Sequence, residues 1–252
     1  MMINAHVPTQ QFGFIELTDL PDDPKEIERL YNKYAEKPIS FKNGNRKLIH
    51  AFVGGDIYYD EVAHVYTNNN GDVYLSGSQY AESFKKPFDK VGISEAMAKK
   101  AGVSAEDIVK MWELKGEASR NFGTAVHQAL QLYETYKELS SKLAKEYHLH
   151  DNFVLKDIVE SFYVAHKGEK AESEIVVVDH AAKRAGAIDR LVITGGKRGH
   201  VTDFKTGEVE KNLEIYWKQL EFYGDILRAG GWTIDKPVIY GWNGKWKTYD
   251  AR

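Results

Sequence analysis

The stretch VTDFKTGEVE, residues 201–210, sets Asp203 and Lys205 two positions apart in a run that otherwise reads as a strand. Side chains at i and i+2 leave a strand on one face, so this acid and this base share one environment. A second carboxylate is close at hand. Asp189, in GAIDRL, precedes a Gly195-Gly196 turn, and a hairpin through that turn would put Asp189 and Asp203 on neighbouring strands. Two carboxylates converging at one point suit Mg²⁺ or Mn²⁺, which bind through one or two carboxylates and keep room for water and for phosphate oxygens. An ammonium beside such an ion can orient or activate a water and offset charge developing on phosphorus. As a lone spacing, D-x-K is more often an exposed strand with alternating charges, so the weight lies in the whole set.

Several other residues could join that set. In GTAVHQAL, Gly123 and a Thr124 N-cap would place His127 in the first turn of a helix. The helix N-terminus disfavours the protonated imidazole and leaves a lone pair for a metal, although a half-buried packing histidine is the commoner use. Glu172 and Glu174 in ESEIVVVDH share a strand face and compete as a supporting carboxylate. Gln219 and Tyr223 are one helical turn apart, as a pair meeting a phosphate or a base would be, or as an ordinary amphipathic stripe would be. Arg120 and Arg190 are among the cations available to phosphates. Tyr58, Tyr66, Tyr74 and Tyr80 could stack bases, though aromatics on a small sheet are usually its core.

The elements that must position these residues follow from periodicity and punctuation. Asp23, Pro24 and Glu26 cap a helix over about 24–36, and aromatic and β-branched alternation around NNNG gives an antiparallel meander at about 57–75. Ser76 and Gln79 box the start of a short helix. A helical pattern over 104–145 starts at Ser104 and is interrupted at Gly116 and Gly123; another helix, capped by Asp151, ends near Gly168. Three short β-type runs follow, then a helix over about 212–229 and strands near 236–241 and 245–249. This order predicts an α/β (α+β) core, with residues 1–103 an N-terminal accessory region packed on a core formed by 104–252.

Composition narrows the chemistry. The 252-residue chain carries a formal net charge of -3, so a polyanion would have to be met by a local basic surface. There is no cysteine. Thiolate zinc sites and iron–sulfur clusters are therefore excluded, and any metal is expected to be held by oxygen or imidazole. No stretch reads as a membrane span or a secretory signal, which makes a cytoplasmic compartment the expectation.

The ordered series Gly123-x₃-His127, Glu174, Asp189, Asp203-x-Lys205, Gln219-x₃-Tyr223 resembles the PD-(D/E)xK nuclease superfamily, specifically its RecB-type exonuclease branch, which includes mitochondrial genome-maintenance and phage-encoded members. The resemblance runs over about residues 112–223. It implies a restriction-endonuclease-like fold, a central mixed sheet flanked by helices with the site at one end of the sheet. It also implies that His127, Asp189, Asp203 and the Phe204 carbonyl bind the metal, that Lys205 is the catalytic lysine and that Glu174 supports the site. Gln219 and Tyr223 would contact the nucleic-acid backbone or steady the lysine. The activity implied is a Mg²⁺- or Mn²⁺-dependent DNA exonuclease acting on single-stranded or frayed ends in recombination, repair or replication, in a bacterium or phage, with a helicase or single-strand-binding protein as a natural partner. An endonuclease of the same superfamily and a non-catalytic DNA-end adaptor are the alternatives.

Overall fold

Three β-type runs in the C-terminal half form the centre of the molecule. In the computed structural model, which describes residues 5–7, 15–17, 46–61, 63–136 and 153–251, they are long strands of one ten-stranded mixed sheet. Two short strands, β1 (Ala5–Val7) and β2 (Ile15–Leu17), pair separately. The expected helix over 24–36, the last turns of the 104–145 helix and the Asp151 cap lie outside the described residues.

The meander comprises β3 (Arg46–His50), β4 (Asp56–Asp60), β5 (Val65–Thr67) and β6 (Val73–Ser76), each antiparallel to the next. The NNNG turn joins β5 to β6, with Gly71 at φ +83°, a conformation that suits a residue without Cβ. Tyr58, Tyr66 and Tyr74 are buried, so their rings are packing rather than base-stacking surfaces. The meander is not detached from the main sheet, because β6 pairs in parallel with β8 (Arg184–Gly195) at Leu75↔Arg184 and Ser76↔Ala185.

β8 is the strand on which the site is built. β7 (Ala171–Asp179) runs antiparallel along one edge of it. The other edge is shared: β6 holds the first residues, while β9 (Arg198–Thr206) pairs only from Arg190↔Thr202 onward, through a hairpin with Gly196 at φ +52°. Between these contacts, at residues 186–189, the sheet forks. β11 (Val238–Trp242) adds in parallel to β9, with β12 (Trp246–Asp250) outside it; a two-residue β10 (Thr233–Ile234), which the sequence pattern does not predict, also runs parallel to β9.

Five α-helices cover the sheet among the described residues. α1 (Gly77–Glu82) opens with the expected Ser76–Gln79 capping box. α2 (Lys90–Ala101) packs on the N-terminal half of α3 (Ala105–Tyr136), and Ser104 caps α3 by accepting from Asp107 N at 3.0 Å. α4 (Phe153–Ala165) and the C-terminal half of α3 bury Val126, Leu130, Ile158 and Phe162 against Phe204 and Tyr240. α5 (Leu213–Ala229) buries Leu220, Ile226 and Leu227 against Leu191, Val201 and Ile239. No described helix is long and apolar enough to cross a membrane.

One expectation fails. α3 is a single helix through both Gly116 and Gly123, so Thr124 is not an N-cap and His127 is not in a first turn. Each glycine costs a helix about 1 kcal/mol relative to alanine, which the tertiary contacts of α3 outweigh. Gly123 is where α3 approaches the sheet, since a Cβ there would lie 3.3 Å from Thr206 Oγ1.

Candidate active site

The strands break regularity where the candidate residues meet. Ile188 and Leu191 both join the cluster beneath α5, whereas Arg190 between them reaches Glu134 on α3. Strict alternation would send Ile188 and Arg190 to one face, so the facing slips by one residue at Asp189. Opposite it, Glu174 is missing from the β7–β8 pairing and has φ +51°, the left-handed region in which a non-glycine residue is strained. Such strain, held by surrounding pairing, marks sites where side chains are aimed by design of the fold.

The slip turns the Asp189 carboxylate to the open edge of β8. There it takes the place of a ladder partner: Phe204 N donates to Asp189 Oδ2 at 2.8 Å. The Phe204 carbonyl accepts from His127 Nε2 at 2.9 Å, leaving Nδ1 facing Asp189 Oδ2 at 3.5 Å. Ligand atoms of His127, Glu174 and Asp189 all lie within 4.8 Å of one another. Glu174, not Glu172, belongs to this group.

Asp203 and Lys205 complete the arrangement. Asp203 is 3% exposed, and Lys205 Nζ stands 2.6 Å from its Oδ2, an ion pair rather than an aligned hydrogen bond. The ammonium also sits 4.9 Å from the centroid of Tyr216 on α5, a cation–π contact. Burial disfavours the charged lysine, but the Asp203 and Asp189 carboxylates outweigh it and hold its pKa above the ordinary lysine range. Burial raises the Asp203 carboxyl, with Asp189 adding to it and Lys205 opposing. Burial, followed by the Asp189 and Asp203 charges, pushes the Glu174 carboxyl up to about 8.

A divalent cation fits this donor set. Three carboxylates face one imidazole and one ammonium, an excess of acidic donors that a cation would balance; the Glu174 and Asp203 carboxyls are raised first by burial, with neighbouring carboxylates adding to it. Because the first-turn argument for His127 fails, its orientation rests instead on the Phe204 carbonyl, which fixes one ring nitrogen and leaves the other toward Asp189.

The group opens onto a cleft of about 650 Å³ between α3 and the ends of β7 and β9. Its walls include Arg120, Thr124, Gln128, Gln131, Lys205 and Thr206. Arg120 lines this cleft. Two other side chains expected to meet nucleic acid are not available to it. Arg190 is 1% exposed and donates to Glu134 at 3.2 Å and Glu169 at 2.8 Å, so it is a structural ion. Tyr223 is 5% exposed, packed where a Cβ on Gly77 or Gly186 would come within 2.5 Å of its ring. Gln219 Nε2 donates to the Tyr223 hydroxyl at 3.2 Å and remains half-buried.

Sequence reasoning missed Thr124, Gln128, Gln131, Thr206 and Tyr216. A continuous α3 would have disclosed the first three, since positions 120, 124, 128 and 131 lie along one helical face. Nothing in the local pattern singles out Tyr216.

The fold is restriction-endonuclease-like, a mixed sheet flanked by helices, and at its fork lie a lysine and an acidic cluster with the donors to hold a metal ion. A family model for the PD-(D/E)XK nuclease superfamily matches residues 102–240, and the chain belongs to that superfamily. Nucleases of this superfamily depend on divalent metals. No curated protein matches the chain significantly. A solved chain described as "Crystal structure of SSO0001" is similar at 17% identity over 57% of this chain and 77% of its own, with a TM-score of 0.28, too slight a likeness to bear on fold or activity.

Proposed function

We propose that this protein is a Mg²⁺- or Mn²⁺-dependent deoxyribonuclease that acts as an exonuclease on single-stranded or frayed DNA ends. The observation that carries the proposal is the meeting of the His127–Glu174–Asp189 cluster with the Asp203–Lys205 pair at the mouth of one cleft. His127, Asp189, Asp203 and the Phe204 carbonyl would hold the cation, with Glu174 as the supporting carboxylate. A divalent cation in that position supplies Lewis acidity toward a phosphate oxygen.

The residues do the rest. In the metal-free protein the Asp203 and Asp189 carboxylates outweigh burial and favour the charged form of Lys205, a hydrogen-bond donor. It would orient a water for in-line attack on phosphorus, the water's proton passing to solvent, and would offset the charge that accumulates as the new P–O bond forms and the bond to the leaving strand breaks, the leaving oxygen taking a proton from solvent. Tyr216 limits where the ammonium can swing. Arg120 and Gln219 are left to meet the strand. The preference for ends, and a role in recombination, repair or replication beside a helicase or single-strand-binding protein, rest on the similarity of the His127, D-x-K and Q-x₃-Y elements to RecB-type exonucleases.

The test compares end-labelled linear single-stranded DNA with a covalently closed circle, in Mg²⁺, Mn²⁺ or EDTA. Metal-dependent loss of the linear strand alone is expected. Nicking of the circle would replace the exonuclease reading with an endonuclease, and intact DNA in every metal lane would remove the catalytic reading for single strands.

A further inference from the structure

Among the described residues the cleft is short of cations for a site that handles a polyanion. Its lining holds two, Arg120 and Lys205, and Lys205 is committed to Asp203. What lines the α3 wall instead is a row of neutral hydrogen-bonding side chains. Arg120, Thr124, Gln128 and Gln131 succeed one another at helical spacing over twelve residues, about 16 Å of helix, enough to run beside several nucleotides at about 3.4 Å per step along a stacked strand. None of the four has a side-chain hydrogen bond or ion pair among the described residues, so their polar groups are free to serve a ligand. Arg120 lies back over Gly116, where a Cβ would sit 3.2 Å from its Nη1.

We propose that Thr124, Gln128 and Gln131, headed by Arg120, form a largely uncharged rail that holds the phosphate oxygens of a single strand by hydrogen bonds. The proposal rests on the nuclease reading above and assigns that site its manner of gripping substrate. There is a physical reason for neutrality here. Lys205 already pairs with Asp203, and a further lysine or arginine on the α3 wall would add charge that competes with the divalent cation, whereas a hydroxyl or an amide binds phosphate oxygen without cancelling the charge the cation needs. Binding at the rail is consequently directional and only weakly dependent on salt, unlike binding by a basic groove.

The experiment uses a fluorescent six-nucleotide oligothymidylate with Ca²⁺ in place of the catalytic ion, and follows affinity by anisotropy across a KCl series. Arg120→Gln is expected to reduce the slope of log K against log[KCl] by about 0.7, the value for one phosphate charge on a single strand. The double variant Gln128→Ala, Gln131→Ala is expected to lose roughly thirtyfold in affinity with the slope unchanged, as for two hydrogen bonds of about 1 kcal/mol each. Both glutamines sit on a helix surface, and unchanged melting temperatures will show the variants folded. An abasic oligomer of equal length should reproduce the loss. The rail is wrong if the double variant binds like wild type, if its loss appears as a change in slope, if the loss vanishes on the abasic probe, or if wild type fails to bind. Cleavage of a longer linear strand in Mn²⁺ is scored separately: absence of cutting with the binding pattern intact would fail the nuclease reading and leave the rail standing.

Discussion

Consecutive residues of β8 hold two charge clusters of opposite character. Asp189 meets His127 on α3, and Arg190 meets Glu134, two helical turns further along the same helix. Around Arg190 the charges are satisfied: burial works to raise the Glu169 carboxyl, but hydrogen bonds from Arg190 and His166 outweigh it and hold the pKa below the usual range. Around Asp189 they are not, and the Glu174 carboxyl is driven up by burial and by its acidic neighbours. The difference separates a structural network from a functional one. A network closed within the protein anchors α3 to the sheet; one left with excess charge, facing a cleft, has something still to bind.

The largest effect should come from the open cluster's one ammonium. Lys205→Ala is expected to lower kcat by about 10²–10³-fold, as for removal of one preorganised electrostatic donor, with Mn²⁺ binding by calorimetry retained. Single-turnover rates near wild type would end its assigned role.

The closed cluster should instead register in stability. Arg190→Ala leaves two acids without their buried partner and is expected to cost about 3–5 kcal/mol in urea unfolding. Loss of DNA affinity with stability unchanged would return Arg190 to the substrate surface and erase the contrast between the two clusters.

The same substitution in the two clusters should give opposite pH dependence. Glu174 has its folded pKa raised from 4.5 to about 8, so its contribution is present below the unfolded value and is lost as pH rises through the folded one. Metal-free protein should thus lose about 1–3 kcal/mol between about pH 5 and pH 9, and Glu174→Gln should flatten that decline. Mn²⁺ should restore the wild type at the alkaline end. Glu169 has its pKa lowered, so its contribution is present above the unfolded value and lost as pH falls through the folded one. Glu169→Gln should therefore destabilise at neutral pH and less in acid. Melting temperatures across that range check both, and parallel profiles would contradict the opposition of the two clusters.

Much of this was legible in the sequence, and the limits have physical causes. Asp203 and Lys205 could be placed because strand alternation holds along β9, and the Gly195-Gly196 turn announced the hairpin that brings Asp189 near. The same alternation could not show that β8 slips at Asp189, since the break arises from the fork between β6 and β9, a long-range contact. It also could not choose between Glu172 and Glu174, because alternation puts both on one face and does not foretell the positive φ at Glu174. Sequence alone assigns Arg190 and Tyr223 to the surface, because charged and hydroxylated side chains usually lie there. Their burial depends on partners far away in sequence, Glu134 in one case and Gly77 in the other.

The smallest predicted effects concern two glycines beside the site, and they sharpen why α3 is continuous. Gly123 sits within an intact helix, and a Cβ there would meet only Thr206 Oγ1, at 3.3 Å, which a small side-chain rotation relieves. Gly123→Ala should therefore gain helix propensity and stabilise by up to about 1 kcal/mol. Gly186 faces the Tyr223 ring, where a Cβ would lie 2.5 Å from a ring carbon that cannot retreat, being packed against Gly77 as well. Gly186→Ala should destabilise by about 1–3 kcal/mol, as for an overpacked core. Opposite signs in chemical denaturation would mean that the glycine of the helix is incidental to its continuity, while the glycine of the strand makes the slot that seats Tyr223 behind Gln219. A destabilised Gly123→Ala would instead show that α3 needs closer contact with β9 than its geometry implies.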